Sequence, residues 1–357
     1  MQNKSTQTLN NIQMLRAIAA LLVVFHHALP HYAVMGGEIA LIGFIGEWGF
    51  LGVDIFFVIS GFIMAYTTFS KERTFDNAKI FIKHRLFRIY LGYWPFFFMM
   101  LMIGLYKDTN FDIIGSFFLT STEMSKLVLP ISWSLTFELY FYFLFLLTFL
   151  FSIKKLSLLI PLFTFIALSI ALYPYIYDVL ATYYIPSLPT IEFPPLILEF
   201  SPLLLEFLSG VLLYMYKDHL MKRWILFLSV LIAIIVYSLG MIYEFKYGIT
   251  RVGTFGTGAF LIVLCALILE EKNLYRAGSI FVALGNASYT LYLSHLIIIE
   301  LFHFVGLRSF FSVNNGIFLP LIGLSIMIFL TMIFSLVYYQ KIEKPMYQKS
   351  ISYGKIS

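Results

Sequence analysis

The apolar residues of this sequence fall in long blocks and do not alternate strictly with polar residues, as they do in β-strands. The blocks are roughly 17 to 25 residues long, the length that a helix needs to cross a hydrocarbon core about 30 Å thick. This pattern predicts an all-α, polytopic integral membrane protein with about ten transmembrane helices. The predicted spans are 12–30, 50–69, 88–106, 132–151, 156–176, 196–216, 224–243, 252–269, 287–305 and 317–339.

The composition agrees with this pattern. Of 357 residues, 60% are hydrophobic and 12% are charged, and the mean hydropathy is +0.88, which no soluble globular chain of this length requires. The first block contains Arg16, so we expect a retained helix and not a signal peptide. The polar stretches are too short for a soluble domain. We therefore predict one membrane domain over 1–345 and a short cytoplasmic tail over 346–357.

The basic residues predict the orientation. With the N-terminus in the cytoplasm, 19 of the 24 lysines and arginines fall in cytoplasmic segments, as the positive-inside rule requires. Both termini are therefore predicted to be cytoplasmic. The net charge of +5 then reflects topology, which argues against nucleic-acid binding. The single cysteine, Cys265, has no partner for a disulfide or a thiolate cluster, and no metal site or bound cofactor is predicted.

The first span contains ionisable residues, which are costly in a membrane and need a partner or a function. In LRAIAALLVVFHHA, eleven helical steps of about 100° bring Arg16 and His27 to one face. At ~1.5 Å per residue they lie ~16 Å apart, with Arg16 near the cytoplasmic surface and His27 near the bilayer centre. Alternatively, Arg16 is a topology anchor and His27 only hydrogen-bonds a neighbouring helix.

Three other spans place ionisable residues at a similar predicted depth. These are Asp54 in GVDIFFVISGFIM, Glu138 in SWSLTFELYFYF and His295 in LGNASYTLYLSHL. Together with His26 and His27 they predict a polar core inside the helix bundle. A carboxylate there can orient the His27 imidazole. Alternatively, Asp54 caps a helix and Glu138 makes an interhelical hydrogen bond.

A basic segment, HRLFRIYLGYW, precedes the third predicted span. Arg85 and Arg88 are three residues apart and share a helical surface, which we place at the N-terminal end of the third helix. Two guanidiniums beside the positive end of a helix suit a phosphate or pyrophosphate. The alternative is that they only anchor the helix at the cytoplasmic surface.

These segments and the terminal EKP, Glu343 to Pro345, resemble the acyltransferase 3 family of bacterial membrane O-acyltransferases. The resemblance covers nearly the whole chain, has six segments in the family's order, and is closest to its stand-alone polysaccharide-modifying acetyltransferases. Some relatives carry a C-terminal extracytoplasmic hydrolase-like domain. This sequence ends 18 residues after its last predicted span, so we expect direct transfer to the acceptor.

The resemblance implies a multi-pass protein of the bacterial cytoplasmic membrane. It implies transfer of an acetyl group from cytoplasmic acetyl-CoA to a hydroxyl of a cell-surface polysaccharide, a lipopolysaccharide or a lipid-linked precursor. In this reading Arg85 and Arg88 hold the CoA phosphates and the pantetheine arm lies along Arg16.

The expected chemistry centres on His27 as the base, oriented by Asp54 or Glu138, with an acetyl-histidine intermediate as the rival. His26, Trp133 and His295 are supporting or acceptor-site candidates, with Trp133 available to stack on a sugar. Two other functions remain open. A proton-coupled transporter or flippase can use the same midplane groups, although it has no evident need of the arginine pair. A structural subunit predicts that His27 is dispensable.

Overall fold

The computed structural model describes residues 9–106, 110–120, 123–147, 149 and 201–352. Every regular element in these residues is helical, which confirms the all-α prediction. The chain forms two compact units. The unit that contains His26, His27 and His295, here the histidine unit, comprises Met1–Phe56, Lys217–Val230 and Leu261–Lys349. The unit that contains Arg85 and Arg88, here the arginine unit, comprises Phe57–Tyr216, Leu231–Phe260 and Ser350–Ser357.

Two of the helices before residue 150 begin at a capping side chain. The Thr74 hydroxyl accepts a hydrogen bond from the Asn77 amide at the start of α4, and the Asp112 carboxylate accepts one from the Gly115 amide at the start of α5. The helices are α1 (Asn10–Val34), α2 (Ala40–Trp48), α3 (Leu51–Thr68), α4 (Phe75–Tyr106), α5 (Ile113–Phe118) and α6 (Trp133–Leu147).

The helices after residue 200 include two π-helical segments, Val252–Gly256 and Tyr339–Glu343. Segments of this kind are rare and often lie at functional sites. The α-helices are α7 (Leu204–Leu220), α8 (Arg223–Ile242), α9 (Gly248–Arg251), α10 (Thr257–Glu271), α11 (Ser279–Asn286), α12 (Ser288–Phe304), α13 (Leu307–Phe310), α14 (Leu319–Tyr338) and α15 (Lys344–Ser352).

Several of these helices can cross a membrane. Among the described residues, seven are long and apolar enough, and α11 with α12, bent by 70°, adds an eighth if the pair forms one span. The protein is therefore a multi-pass membrane protein. The predicted span 156–176 and the start of 196–216 lie outside the described residues, so the count of ten and the orientation stay predictions.

The core of the histidine unit forms around α1. This helix packs against α2, α11, α12 and α14, and its C-terminal part joins a buried cluster with Phe302, Phe311 and Met327. The first turn of α3 also lies directly on α1, because a Cβ atom at Gly52 would be only 2.2 Å from the Ala19 carbonyl oxygen. This close contact places the start of α3 beside the middle of α1.

The arginine unit is held by two kinds of contact. Helix α4 packs against α6, and the stacked rings of Phe141 and Phe207, 4.3 Å apart, join α6 to α7. Helices α3 and α7 meet through two glycines. A Cβ atom at Gly61 would be 1.9 Å from the Phe207 carbonyl oxygen, and one at Gly210 would be 2.0 Å from that of Val58. The two backbones are therefore too close for any side chain there.

Replacing Gly61 by alanine is expected to separate α3 from α7 and to destabilise the protein by about 1 to 3 kcal/mol, as overpacking does. The melting temperature of detergent-solubilised protein measures this effect. Gly253→Ala is the matched control, because a Cβ atom at Gly253 has no neighbour within 4 Å. Equal melting temperatures for the two variants would contradict the proposed close packing.

Candidate active site

His27 lies on α1 and is half-buried. Its Nδ1 atom is 3.0 Å from the carbonyl oxygen of Val23, one turn earlier on the same helix. A carbonyl oxygen only accepts hydrogen bonds, so the proton of the neutral ring is assigned to Nδ1. The lone pair then belongs to Nε2. The local helix geometry therefore fixes which nitrogen of His27 can take a proton.

His295, on α12, is brought together with His27 inside the histidine unit. Its side chain is fully buried, its Nε2 atom is 3.3 Å from Nδ1 of His27, and the ring centroids are 5.0 Å apart. The two histidines are 268 residues apart in the sequence. Packing of α1 against α12 creates this pair, which lies inside a mostly apolar unit.

Two further hydrogen bonds tie α12 to the end of the histidine unit. The buried hydroxyls of Ser294 and Ser335 are 3.3 Å apart, and the Thr290 hydroxyl donates to the Glu343 carboxylate. Glu343 belongs to the terminal EKP motif, whose role is not evident from the sequence alone. Polar groups buried among apolar helices stabilise one arrangement of those helices when they are paired. The contacts therefore fix the register of α12, which carries His295.

His26 holds the short helix α2 against α1. Its Nδ1–H donates to the Gly46 carbonyl oxygen at 2.7 Å, and its ring meets those of His27 and Phe50 edge-on, at 5.1 and 5.9 Å. A helix between residues 31 and 49 is absent from the sequence prediction. These contacts explain the adjacent histidines: His26 anchors α2, while His27 faces His295.

Asp54 and Arg16 also belong to the histidine unit. Asp54 is fully buried in the first turn of α3. Arg16 lies on the same continuous helix as His27, and its guanidinium donates to the Gln13 side chain at 3.1 Å. The predicted spacing along one helix is therefore present. The roles of Asp54 in orienting the imidazole and of Arg16 beside the pantetheine arm stay predictions.

In the arginine unit, Tyr142 contacts two of the predicted site residues. Its hydroxyl donates to the Glu138 carboxylate, and the guanidinium of Arg85 lies 5.6 Å from its ring centroid. Arg85 also donates to the Thr67 hydroxyl at 3.2 Å, and Arg88 follows three residues later on the same helix. The Glu138–Tyr142 spacing of four residues could have revealed this pair. Tyr142 is nevertheless not among the site residues predicted from the sequence.

The predicted start of the third helix is wrong. We expected Arg85 and Arg88 at its N-terminal end, but α4 begins at Phe75, with the Thr74 cap. Arg85 lies ten residues inside the helix, ~15 Å along its axis, so the helix dipole does not act on it directly. The polar residues before the predicted span 88–106 belong to the same helix as the span. This also explains why Arg85 reaches the tyrosine that binds Glu138.

Trp133 is 7% exposed and packs edge-on against Phe57 and Phe137, with ring centroids 6.4 and 6.3 Å away. An indole that stacks on a sugar must present a free face. The packing therefore favours a structural role for Trp133 over the acceptor role predicted from the sequence.

Other charged residues of the arginine unit were not singled out from the sequence. The Arg73 guanidinium lies 4.6 Å from the Phe149 ring centroid and 5.6 Å from that of Phe69, and burial lowers the pKa of Arg73. Glu206 and Arg251, 1% and 5% exposed, flank the π-helical segment 252–256, where the Glu206 carboxyl lies against Gly256. Their signal in the sequence was a carboxylate inside the predicted span 196–216 and a guanidinium next to the predicted span 252–269.

Among the described residues, no group of three or more histidine, cysteine, aspartate or glutamate side chains has the arrangement of a metal site. The polar contacts described above are a pair of imidazoles in one unit and an arginine–tyrosine–glutamate cluster in the other.

Comparison with known families gives one match. The family model described as an acyltransferase domain, acyltransferase 3, matches residues 9–340. The chain belongs to the acyltransferase 3 family. No curated protein and no solved structure gives a significant match.

Membership of the acyltransferase 3 family supports a membrane acyltransferase and confirms the family resemblance of the sequence. The matched range includes every segment on which that resemblance depends except EKP, which follows three residues after its end. The Thr290–Glu343 contact ties this last motif to the matched part of the acyltransferase.

Proposed function

We propose that this acyltransferase moves an acetyl group from cytoplasmic acetyl-CoA to a hydroxyl of a cell-surface polysaccharide or its lipid-linked precursor, in the bacterial cytoplasmic membrane. The observation that carries the proposal is His27, whose Nδ1 faces the Val23 carbonyl and whose Nε2 is left as the basic nitrogen. A base held in this way suits proton transfer from an alcohol to a leaving group.

In the proposed reaction, Nε2 of His27 takes the proton of the sugar hydroxyl while its oxygen attacks the thioester carbonyl carbon. The bond from that carbon to sulfur then breaks, and the imidazolium returns the proton to the departing CoA thiolate. An ester and CoA–SH are formed, so no other reactant is needed. In the acetyl-histidine rival the same Nε2 attacks the thioester first.

The donor is proposed to bind through its phosphates in the arginine unit. The guanidinium face of Arg85 lies over the Tyr142 ring, and one of its N–H groups donates to Thr67. The other N–H groups of Arg85 can then donate to an anion. Arg88 follows one turn later on α4. Arginine pairs of this kind bind phosphate bidentately. A proton-coupled carrier of a neutral solute has no comparable use for them.

Membranes that contain the wild-type protein are expected to transfer label from [¹⁴C-acetyl]-CoA to endogenous polysaccharide or lipid-linked sugar, because the donor is supplied on the cytoplasmic side. Inside-out vesicles of the source strain provide the acceptor, and vesicles that lack the protein are the control. Mild base should release the label as acetate, as expected for an ester. Equal labelling in both vesicle preparations would refute the proposed function.

A further inference from the structure

The proton on Nδ1 of His27 has two acceptors in the structure. The Val23 carbonyl oxygen lies 3.0 Å from Nδ1 and the Nε2 atom of His295 lies 3.3 Å from it. Since the proton is on the His27 side, Nε2 of His295 contributes its lone pair. The proton of His295 is then on its own Nδ1, which is buried and makes no hydrogen bond to the described residues. Both tautomers follow from one set of contacts.

His295 is held more firmly than a surface histidine. Its side chain is fully buried, and its neighbours on α12 are tied to α14 and to the following π-helical segment by Ser294–Ser335 and Thr290–Glu343. A histidine that only filled space would not need its nitrogen aimed at the edge of another imidazole. The fixed direction of its Nε2 atom indicates that His295 acts on His27.

We propose that His295 is a positioning residue for His27: it accepts the Nδ1–H of His27, limits rotation of that ring and keeps Nε2 as the reacting nitrogen. This inference rests on the proposed function and adds a second imidazole to its mechanism. The two rings form a histidine pair in which only His27 meets the substrate.

The pair also stabilises the charge that develops during transfer. When Nε2 of His27 takes the hydroxyl proton, positive charge spreads to Nδ1–H, and its bonds to Val23 and His295 become charge-assisted. Such bonds are about twice as strong as neutral ones, so the contact with His295 gains strength in the transition state. Loss of His295 should therefore lower kcat and leave KM for acetyl-CoA unchanged.

The test compares His295→Gln with His295→Met. Both side chains are similar in length, but only glutamine can present an oxygen acceptor near the position of Nε2. His295→Met is expected to lower kcat by about 10- to 100-fold, the value of a hydrogen bond to a charged group. His295→Gln should recover most of that loss. Initial rates in inside-out vesicles at several acetyl-CoA concentrations, scaled to protein amount, give kcat and KM.

Melting temperatures of the two variants separate positioning from folding, since both lose the same ring volume. His303→Met, an exposed position on α12, is the matched control. Equal kcat values for the methionine and glutamine variants would overturn the proposal, and so would a methionine variant that is as active as wild type. A wild-type protein with no acetyl transfer would instead overturn the proposed function. If the methionine variant does not fold, low kcat of a folded glutamine variant still contradicts the pair.

Discussion

Replacing His27 by glutamine is expected to lower acetyl transfer by about 10²- to 10⁴-fold, the range of a general base. Glutamine can hydrogen-bond near the position of Nε2 but cannot take a proton at neutral pH. Binding of the donor should be preserved, because the proposed phosphate ligands are in the arginine unit. The measurement is label incorporated from [¹⁴C-acetyl]-CoA in inside-out vesicles at matched protein levels.

His303→Gln is the control for this variant, since it makes the same change on an exposed part of α12 and should keep full activity. If His27→Gln keeps more than about a tenth of wild-type transfer, His27 is not the base. Proton-coupled transport or a structural role would then become the better explanation of the contact between His27 and His295. Labelled protein recovered without an acceptor, and lost in His27→Gln, would favour the acetyl-histidine route over direct attack.

The fold class followed from the sequence because the membrane imposes long apolar helices. Spans such as 12–30 and 224–243 match α1 (Asn10–Val34) and α8 (Arg223–Ile242) within a few residues. Hydropathy reports only the part of a helix that lies in lipid, however. It gave no sign that α4 begins at Phe75, thirteen residues before the predicted span, or that a further helix, α11, meets the ninth predicted span at a 70° bend at Ala287.

The candidate site was predictable only in part. His27 and His295 could be singled out from the sequence because an ionisable side chain is costly to bury in a membrane. Their contact could not be predicted, because it depends on the packing of α1 against α12. Local spacing could not separate His26, which anchors α2, from His27, since both are histidines on the same turn. Tyr142 was missed because tyrosine is common in membrane spans, and its importance depends on Arg85, which lies on another helix.

Replacing Arg85 by glutamine is expected to raise KM for acetyl-CoA by about 10- to 100-fold, the value of a lost hydrogen bond between charged groups, with kcat much less affected. The phosphates of CoA lie far from the thioester and are held equally in the ground state and the transition state. Their loss is therefore a loss of uniform binding. Initial rates over a range of acetyl-CoA concentrations measure both constants.

The inhibition constant of free CoA should rise by the same factor as KM, because CoA carries the same phosphates and lacks only the acetyl group. Lys79→Gln removes one positive charge from the same helix, at an exposed position over the Phe75 ring, and controls for the general basic field.

An Arg85→Gln variant with unchanged KM and reduced kcat would place Arg85 in the chemical step, through its contact with Tyr142 and so with Glu138. A similar rise in KM for both variants would show that the charge of the whole segment attracts the donor. Only a rise confined to Arg85→Gln, in KM and CoA inhibition together, supports a dedicated phosphate site.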